Sequence, residues 1–489
     1  MSKKIFFIVF TILNFHLKAQ VFVNQPFEYS VEKNFLDNKY YHSNIKSNIW
    51  LDSLQTKKNF FTLNPIINSN IGLDLRNKKF VYNFFAGLYS NLKISNITVN
   101  ISPFIGLSEN NNFLNSILNQ NIIPNYGLKS KITNTKYIFF DVIGNISYKP
   151  TYYLNFETGR GKAFLGDGYR SLLLSDNAPF YTYFRGIVDI WKIKYFYQIA
   201  QIKGKYDLKP NIWTSKFLFT HYLSLNIGSR INFSLFETVV QSIYDSTGVK
   251  RGLEVSYLNP VIFWRSVEYN LGSPDNVLVG FSGHLRFFKT TIFYSQILID
   301  EFLLKYIKDL KNENWTEKYA LQAGVKCYNS AGVNNLYTQL EFNAIRPFTY
   351  SHWQTLGSYT HIYHSLAHPN GSNFAELVFI VNYQLKSWVI QFKAVYSKAG
   401  ENSDTVNYGR NPNLSYLTRF SDDNVKWLVG NQTTFSHLEF YISKQLFTNS
   451  IQLFTKITNY SLQNNNKTNS FIFLFGFKTN FYNRYNDWF

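Results

Sequence analysis

Cysteine is almost absent from this chain, which has one, Cys327, among its 489 residues. A single thiol cannot close an intramolecular disulfide, so the fold has to hold without covalent cross-links. Cys327 shares the strand parity of Leu321, Ala323 and Val325, which indicates a small apolar residue on an outward strand face. No cysteine lies near the end of the first apolar run, so we do not expect a lipoprotein.

Long hydrophobic runs are scarce as well. The most apolar stretch, residues 5–15, follows Lys3 and Lys4 and precedes Ala19. A membrane-spanning helix needs about 20 apolar residues, whereas a basic start, a short apolar run and a small residue at a cleavage site are typical of a secretory signal peptide. We therefore predict a signal peptide over residues 1–19. The exported chain is then soluble, secreted or a β-barrel.

Acidic residues are under-represented: Asp and Glu number 30 against 49 Lys and Arg, a formal net charge of +19. This excess favours anionic partners such as outer-membrane lipopolysaccharide or acidic polysaccharide. Codon drift in an A+T-rich genome would also enrich Lys, together with Asn, Ile, Phe and Tyr, and we keep it as the alternative. The basic residues are dispersed, so we expect no nucleic-acid partner.

What the chain has in abundance is alternation of apolar and polar residues. In residues 388–397, Trp388, Phe392 and Tyr396 share one face, while Lys393 lies on the other. Repeated segments of about ten residues with this period indicate a transmembrane β-barrel. We predict an all-β fold, an antiparallel outer-membrane barrel of about 18 strands (16–18) with lipid outside and water inside. The predicted strands are residues 60–75, 79–89, 92–106, 137–148, 151–158, 182–190, 193–203, 215–225, 230–241, 276–287, 290–299, 318–328, 335–345, 375–385, 388–397, 431–445, 450–462 and 468–481.

The connections between these segments sort into two kinds. Very short turns such as Trp191-Lys192 and Lys386-Ser387 alternate with long loops. In outer-membrane barrels the short turns face the periplasm and the long loops face the exterior. Long loops are predicted near residues 107–136, 159–181, 242–275, 300–317, 346–374 and 398–430.

The domain organisation follows from these elements. Residues 20–58 are expected to form an N-terminal periplasmic segment or a first strand, and residues 59–489 the barrel. Apolar residues at helical spacing predict short amphipathic helices near residues 113–122 and 302–310, in loops that cap the barrel mouth or fold into it. The aromatic last strand and terminal Phe489 resemble the recognition signal of outer-membrane barrel assembly.

Two loops are dense in Gly, Pro, Asp, Asn and Arg. The first contains the stretches 159–162, 166–171 and 174–179, and the second the stretches 254–260, 264–268 and 272–276. Both resemble Wzi-type capsule-assembly proteins, and the second, with the closing residues 479–489, resembles RemB-like gliding-motility proteins of Bacteroidota. The resemblance extends from about residue 137 onward and rests on loop signatures. The residues that carry it are Gly166, Asp167, Gly168, Ser175, Asn177, Pro179, Asn259, Pro260, Glu268, Gly272, Pro274 and Asp275.

The resemblance implies a non-enzymatic outer-membrane barrel that takes part in surface polysaccharide assembly or attachment, or in gliding motility, without a cofactor. Its partners would be lipopolysaccharide, extracellular polysaccharide, or components of gliding or secretion machinery. Aromatic rings and planar cations suit sugars and their carboxylates. The candidate polysaccharide contacts are Tyr169, Arg170, Tyr257, Trp264 and Arg265. The alternative for these residues is packing inside the barrel mouth, with the arginines paired to Asp167, Glu254 or Glu268.

Two other functions stay open. About eighteen strands enclose a lumen wide enough for a porin unless loops fill it. An outer-membrane hydrolase of lipid or glycan would need a catalytic pair, for which Glu254 and Glu268 are weak candidates. Gly166-Asp167-Gly168 with Ser171 does not match a nucleophile elbow.

One long loop also carries four histidines, His352, His361, His364 and His368, at spacings that suit a metal. Without accompanying cysteines or a carboxylate helix, we expect solvated side chains and no metal site.

Overall fold

The computed structural model describes residues 33, 38–46, 59–109, 122–123, 127–128, 130–131, 135–206, 209–245, 248–260, 275–301, 313–446, 451–464 and 466–479. The predicted signal peptide and the predicted helix near residues 302–310 lie outside these ranges. So does the helix near residues 113–122, except for Ile122, which forms a two-residue strand with Ile123 opposite Gly127–Leu128.

Eighteen antiparallel strands close into one barrel, which confirms the predicted fold class and strand number. Each strand pairs with its neighbours in chain order, and the first closes the barrel against the last, with Ile71 opposite Phe475. The strands are β1 Asn59–Asp74, β2 Lys79–Ile94, β3 Ile97–Glu109, β4 Lys136–Tyr148, β5 Leu154–Gly161, β6 Tyr181–Ile190, β7 Ile193–Tyr206, β8 Lys209–Ile227, β9 Ile231–Ser242, β10 Asn276–Arg286, β11 Thr291–Glu301, β12 Lys318–Tyr328, β13 Leu336–Ile345, β14 Phe374–Leu385, β15 Trp388–Glu401, β16 Asn431–Leu446, β17 Ile451–Gln463 and β18 Lys467–Thr479.

The outer wall is apolar, as the alternation predicts. On β15, Trp388, Phe392 and Tyr396 face outward and are exposed, whereas Lys393 and Ser397 point into the barrel and are buried. Successive side chains of a strand point to opposite faces, so one parity meets lipid along the whole strand. This is the arrangement that a barrel in a bilayer requires.

Strand ends differ from the prediction at several places. The turn expected after residue 89 is wrong, because β2 continues to Ile94 and turns at Ser95, which has a φ of 53°. The polar pair Ser90-Asn91 suggested a turn, but Asn91 points inward and donates to Tyr89 Oη at 3.3 Å. Polar residues inside a barrel strand are lumen-facing residues, and they do not end the strand.

The lumen between β5 and β15 is filled with packed side chains, many of them apolar, which corrects the expectation of water inside for this part of the barrel. The loop that joins β5 to β6, residues 162–180 (the inner loop), folds into the barrel and is buried from Ala163 onward. Its Leu172, Leu173 and Leu174 are fully buried in a cluster with inward-pointing wall residues. The resulting core resembles that of a globular protein and differs from a water-filled pore.

Two further segments meet the inner loop. Residues 38–46 (the N-terminal segment) enter at the end of the barrel that carries the short turns, and Ile45–Lys46 pairs with Phe164–Leu165. Residues 346–373 (the cap loop), between β13 and β14, are largely buried above the inner loop. In the described ranges, helical structure is limited to the α-helical position Lys33 and short 3-10 segments, and no helix there is long and apolar enough to cross a membrane.

Candidate functional site

The Gly166-Asp167-Gly168 motif is a turn of the inner loop that passes close to the barrel wall. Gly166 has a φ of +134°, a conformation that L side chains rarely adopt, and a Cβ there would collide with the Gln296 amide. A Cβ on Gly168 would lie 2.6 Å from Glu341 Oε2 and 2.7 Å from Gln322 Oε1. Both glycines are therefore required by backbone shape and by lack of space.

Asp167, between these glycines, joins three parts of the chain. Its carboxylate accepts a hydrogen bond from Ser43 of the N-terminal segment and lies 2.9 Å from His284 Nδ1 of β10. Burial acts to raise the pKa of Asp167, but the charge and hydrogen bond of His284 outweigh it and hold the pKa well below its usual range. The group is thus an ionised anchor in the lumen.

Tyr169 and Arg170 are buried in the lumen, where their backbone N–H groups donate to the Glu341 carboxylate at 2.6 and 3.0 Å. The Arg170 guanidinium also forms an ion pair with Glu376, with Nε 3.2 Å from Oε1. These contacts match the packing role that we kept as the alternative to glycan binding. Direct contact of Tyr169 or Arg170 with a polysaccharide stays a prediction, and it would require the inner loop to leave the lumen.

Ser175, Asn177 and Pro179 lie in the second half of the inner loop and are buried. Ser175 Oγ donates to the carbonyl of Ala367, and Asn177 Nδ2 donates to the carbonyl of Ser365 at 3.3 Å. The motif residues thus attach the inner loop to the cap loop.

The second family-like segment lies on the outside of the barrel. Tyr257 is fully buried against Phe219, Val239 and Val277, whose side chains face outward from β8, β9 and β10. Asn259 and Pro260 are exposed.

Asp275 closes the base of this loop, with Oδ1 3.0 Å from Arg251 Nη1 and Oδ2 accepting from Tyr257 Oη at 3.1 Å. Trp264, Arg265, Glu268, Gly272 and Pro274 lie outside the described residues.

The cap-loop histidines are not solvated, which corrects that expectation. His352, His361 and His368 are buried, and His364 is partly buried. They have separate partners: His361 Nδ1 accepts from the Lys203 N–H at 2.9 Å, and His368 Nε2 lies 2.9 Å from Glu376 Oε1. Within the described part of the chain, no group of three or more His, Cys, Asp or Glu side chains is arranged to hold a metal ion.

Burial lowers the pKa of His352 and His361 to about 3 and that of His364 to about 4. These histidines are therefore neutral at physiological pH. They lie inside the cap loop, on the exterior side of the barrel. Burial also raises the pKa of Asp176, in the inner loop, to about 6 against the charge of Lys162.

The exterior loops and the exterior end of β8, where Trp213 lies, carry aromatic residues that we did not select from the sequence. We name Trp213, Trp315, Trp353, Tyr363, Tyr416 and Trp427 the exterior aromatic surface; all are partly exposed.

These rings lie beside one another and beside cations. The rings of Trp315 and Tyr416 are 4.6 Å apart, and the Arg419 guanidinium lies 4.3 Å from the centroid of Trp315. The rings of Trp213 and Tyr363 are 4.9 Å apart, with Lys205 Nζ 4.7 Å from Trp213. The feature of the sequence that could have indicated this surface is the tryptophan content of the long loops.

A closed 18-stranded barrel with an apolar exterior defines the class of protein, an outer-membrane β-barrel. Among solved structures, the chain is similar to Wzi, an outer-membrane protein involved in group 1 capsule assembly in Escherichia coli and described as a carbohydrate-binding β-barrel. The TM-score is 0.56 at 12% sequence identity, over 90% of this chain and 89% of that chain. At so low a sequence identity, the structural similarity shows a common fold and nothing more.

Two other solved structures show weaker similarity. Acinetobacter baumannii OccAB4 gives a TM-score of 0.47 at 9% identity, over 87% of this chain and 98% of that chain. Pseudomonas aeruginosa OccK1 (OpdK) gives 0.48 at 7% identity, over 86% and 98%. No protein-family model matches the chain, and no curated protein matches it.

Proposed function

We propose that this protein is a non-enzymatic outer-membrane scaffold that holds surface polysaccharide on its exterior loops. The observation that supports it most directly is the filled lumen: Leu172, Leu173 and Leu174 occupy the interior where a porin of this size keeps water. A glycan then has the exterior loops as its contact surface. The carbohydrate-binding character of the similar Wzi barrel agrees with this proposal.

The exterior aromatic surface has the chemistry that such binding needs. Trp315 and Tyr416 offer partly exposed ring faces to sugar rings. Beside them, the Arg419 guanidinium binds Asp422 through Nε and the Tyr416 carbonyl through Nη1, and its Nη2 can donate to a glycan carboxylate. The net charge of +19 favours the approach of an acidic polymer.

The test measures retention of the producing cell's purified surface polysaccharide by the folded barrel in affinity electrophoresis or calorimetry. Trp315→Ala and Arg419→Gln should each weaken binding by about tenfold, the cost of removing a central aromatic or arginine contact.

The matched control is a second aromatic–cation pair, Trp191 and Lys192, at a periplasmic turn, with Lys192 Nζ 4.6 Å from the ring. Trp191→Ala and Lys192→Gln should leave retention unchanged. Equal losses from both pairs, or no binding by the wild-type barrel, would refute the proposal.

Within this proposal, the glycan is either a capsule held at the cell face or a component of gliding motility, as the RemB-like resemblance of the loop segments suggests. Deletion of the gene separates the two roles. Loss of the capsule layer with normal gliding favours the first, and arrested gliding with an intact capsule favours the second.

A further inference from the structure

The loop between β9 and β10 runs down the outer wall of the barrel. Gly252 lies beside Gln241, one residue before the exterior end of β9, and Pro260 lies beside Tyr195, two residues after the periplasmic start of β7. We name residues 250–260 the strap.

The wall contacts of the strap cover a long part of the barrel height. Gln241 pairs with Phe217, and Phe217 with Gln201, which is six residues from Tyr195 on β7. At about 3.3 Å per residue, this separation is about 20 Å along the strand. Strands of an outer-membrane barrel are tilted by about 35–45°, so this length is about 15 Å of height, and the strap spans more than half of the apolar band, which is about 25 Å tall.

Irregular backbone at this depth needs hydrogen bonds that lipid cannot supply. Outward-pointing wall residues supply them to three strap carbonyls: Gln241 Nε2 donates to Gly252 at 2.8 Å, Tyr197 Oη to Leu258 at 3.3 Å and Tyr195 Oη to Pro260 at 2.6 Å. Two strap N–H groups have partners within the strap: Tyr257 N donates to Glu254 O and Ser256 N to Glu254 Oε1, both at 3.2 Å.

The wall beneath the strap explains why a cover is needed. His221 and Glu237 stand opposite each other on β8 and β9, and both face outward, yet both are buried. Polar or ionisable side chains on the lipid face of a barrel are unfavourable. The rings of Tyr195 and Tyr197, which donate to the strap carbonyls, lie 5.6 and 5.0 Å from the His221 ring, so the strap and these tyrosines stand over the polar section of the wall.

The exposed surface of the strap is mainly apolar: Leu253, Val255 and Pro260 are exposed, together with two uncharged polar residues, Ser256 and Asn259. Val255 is 70% exposed and Leu253 is 40% exposed. Nearer the periplasmic end, the lipid-facing wall presents exposed Phe233 and Phe281 on β9 and β10. The charged residues Arg251 and Glu254 lie at the upper end, near Gln241, where the exterior headgroups begin.

We propose that the strap is embedded in the bilayer as a lipid-contacting element, with acyl chains as the partner of its outer surface. It differs from the other exterior loops, because it takes part in the membrane anchorage of the barrel and insulates a polar section of its wall. This inference is independent of the proposed glycan function.

The single cysteine makes a direct test possible. In a Cys327→Ser background, V255C and P260C carry an environment-sensitive fluorophore in lipid vesicles. F293C, on the lipid-facing wall and 48% exposed, and L417C, in an exterior loop and 63% exposed, are the controls. Folding of each variant is checked by heat-modifiable migration.

Both strap positions should lose most of their emission to nitroxide-bearing lipids and little to aqueous iodide, as F293C does. P260C should be quenched best by a nitroxide deep in the acyl chain, and V255C by one near the headgroup. Quenching by iodide as at L417C would show a water-exposed loop, and resistance to both quenchers would show a protein cover. Either outcome overturns the proposal.

A second pair of variants tests the hydrogen bonds. Tyr195→Phe combined with Tyr197→Phe removes two donors to strap carbonyls and should increase the quenching of P260C by iodide. Tyr152→Phe, at a fully exposed ring on a periplasmic turn, should leave it unchanged. An unaltered P260C signal in the double variant would show that the wall tyrosines do not hold the strap.

Discussion

Arg170 of the inner loop forms an ion pair with Glu376 of β14, with 3.2 Å between Nε and Oε1 and 206 positions between them in the chain. Both side chains are buried. His368 of the cap loop binds the same carboxylate oxygen at 2.9 Å. This arrangement joins the inner loop, the barrel wall and the cap loop at one point inside the lumen.

Arg170→Met should lower the free energy of unfolding by about 3 kcal/mol, the lower end of the usual cost of breaking a buried pair, because His368 and Asn370 still bind the Glu376 carboxylate. Denaturant unfolding in detergent micelles, followed by tryptophan fluorescence, measures it.

Arg160→Met is the matched control, because Arg160 pairs with Asp141 at 2.8 Å but its side chain is 41% exposed. Its cost should be about 0–1 kcal/mol. Equal effects of the two substitutions would show that the Arg170 pair is not buried in the folded protein.

Gly166→Ala should destabilise the inner loop, because a Cβ meets the Gln296 amide and the φ of +134° is strained for any L side chain. We expect faster hydrogen exchange in residues 162–180 and a lower unfolding midpoint. Gly252→Ala has open space around its Cβ and should change neither. Unaltered exchange in Gly166→Ala would contradict the close approach of the loop to the wall.

Acid should loosen the cap loop. Burial lowers the pKa of His352 and His361 to about 3 and that of His364 to about 4, from 6.5. Above pH 6.5 neither the folded nor the unfolded state binds these protons. Below it, only the unfolded state does, so stability falls as the pH decreases toward 4. Protease cleavage within residues 346–373 should accelerate over this range.

Protonation of Asp176 has the opposite effect on the stability of the folded state. Its pKa is raised to about 6, so acidification from pH 6 toward 4 favours the folded state at this group. Asp176→Asn removes this compensation and should steepen the acid sensitivity of the cap loop. A flat cleavage profile between pH 7 and 4 in both proteins would refute the burial of the histidines.

Besides the contact of Ser43 with Asp167, neutral hydrogen bonds should hold the N-terminal segment. Asn44 Nδ2 donates to Asn232 Oδ1 and Ser234 Oγ, both at 2.7 Å. Asn44→Leu removes both of these buried hydrogen bonds, at a cost of about 1–3 kcal/mol.

Trypsin cleavage after Lys46, which is buried, should accelerate in this variant. Asn38→Ala, at an exposed position, should not change the rate. An equal rate in the two variants would show that Asn44 does not hold the segment.

The barrel itself was predictable because the alternation of apolar and polar residues in a strand is visible within a short stretch of sequence. Trp388, Phe392 and Tyr396 alternate with Lys393 and Ser397, and the structure places the two sets on opposite faces. The family-like motif of the inner loop was also found, but its physical basis, the shape of Gly166 and the space at Gly168, became visible only against Gln296 and Glu341.

The filling of the lumen and the strap depended on contacts between distant parts of the chain. Arg170 was expected to pair with Asp167, Glu254 or Glu268, and its partner is Glu376, because the inner loop reaches across the barrel. The outward parity of His221 and Glu237 was a signal for the strap, since polar residues on a lipid face require a cover.

The central claim is that the inner loop fills the lumen, and conductance in planar bilayers tests it most directly. Gly161 and Tyr181 are paired at the ends of β5 and β6, so residues 162–180 can be replaced by a short hairpin turn. The wild-type barrel should show no stable channels, and the replaced barrel should conduct. Stable, open channels in the wild-type barrel, unchanged by the replacement, would contradict the account.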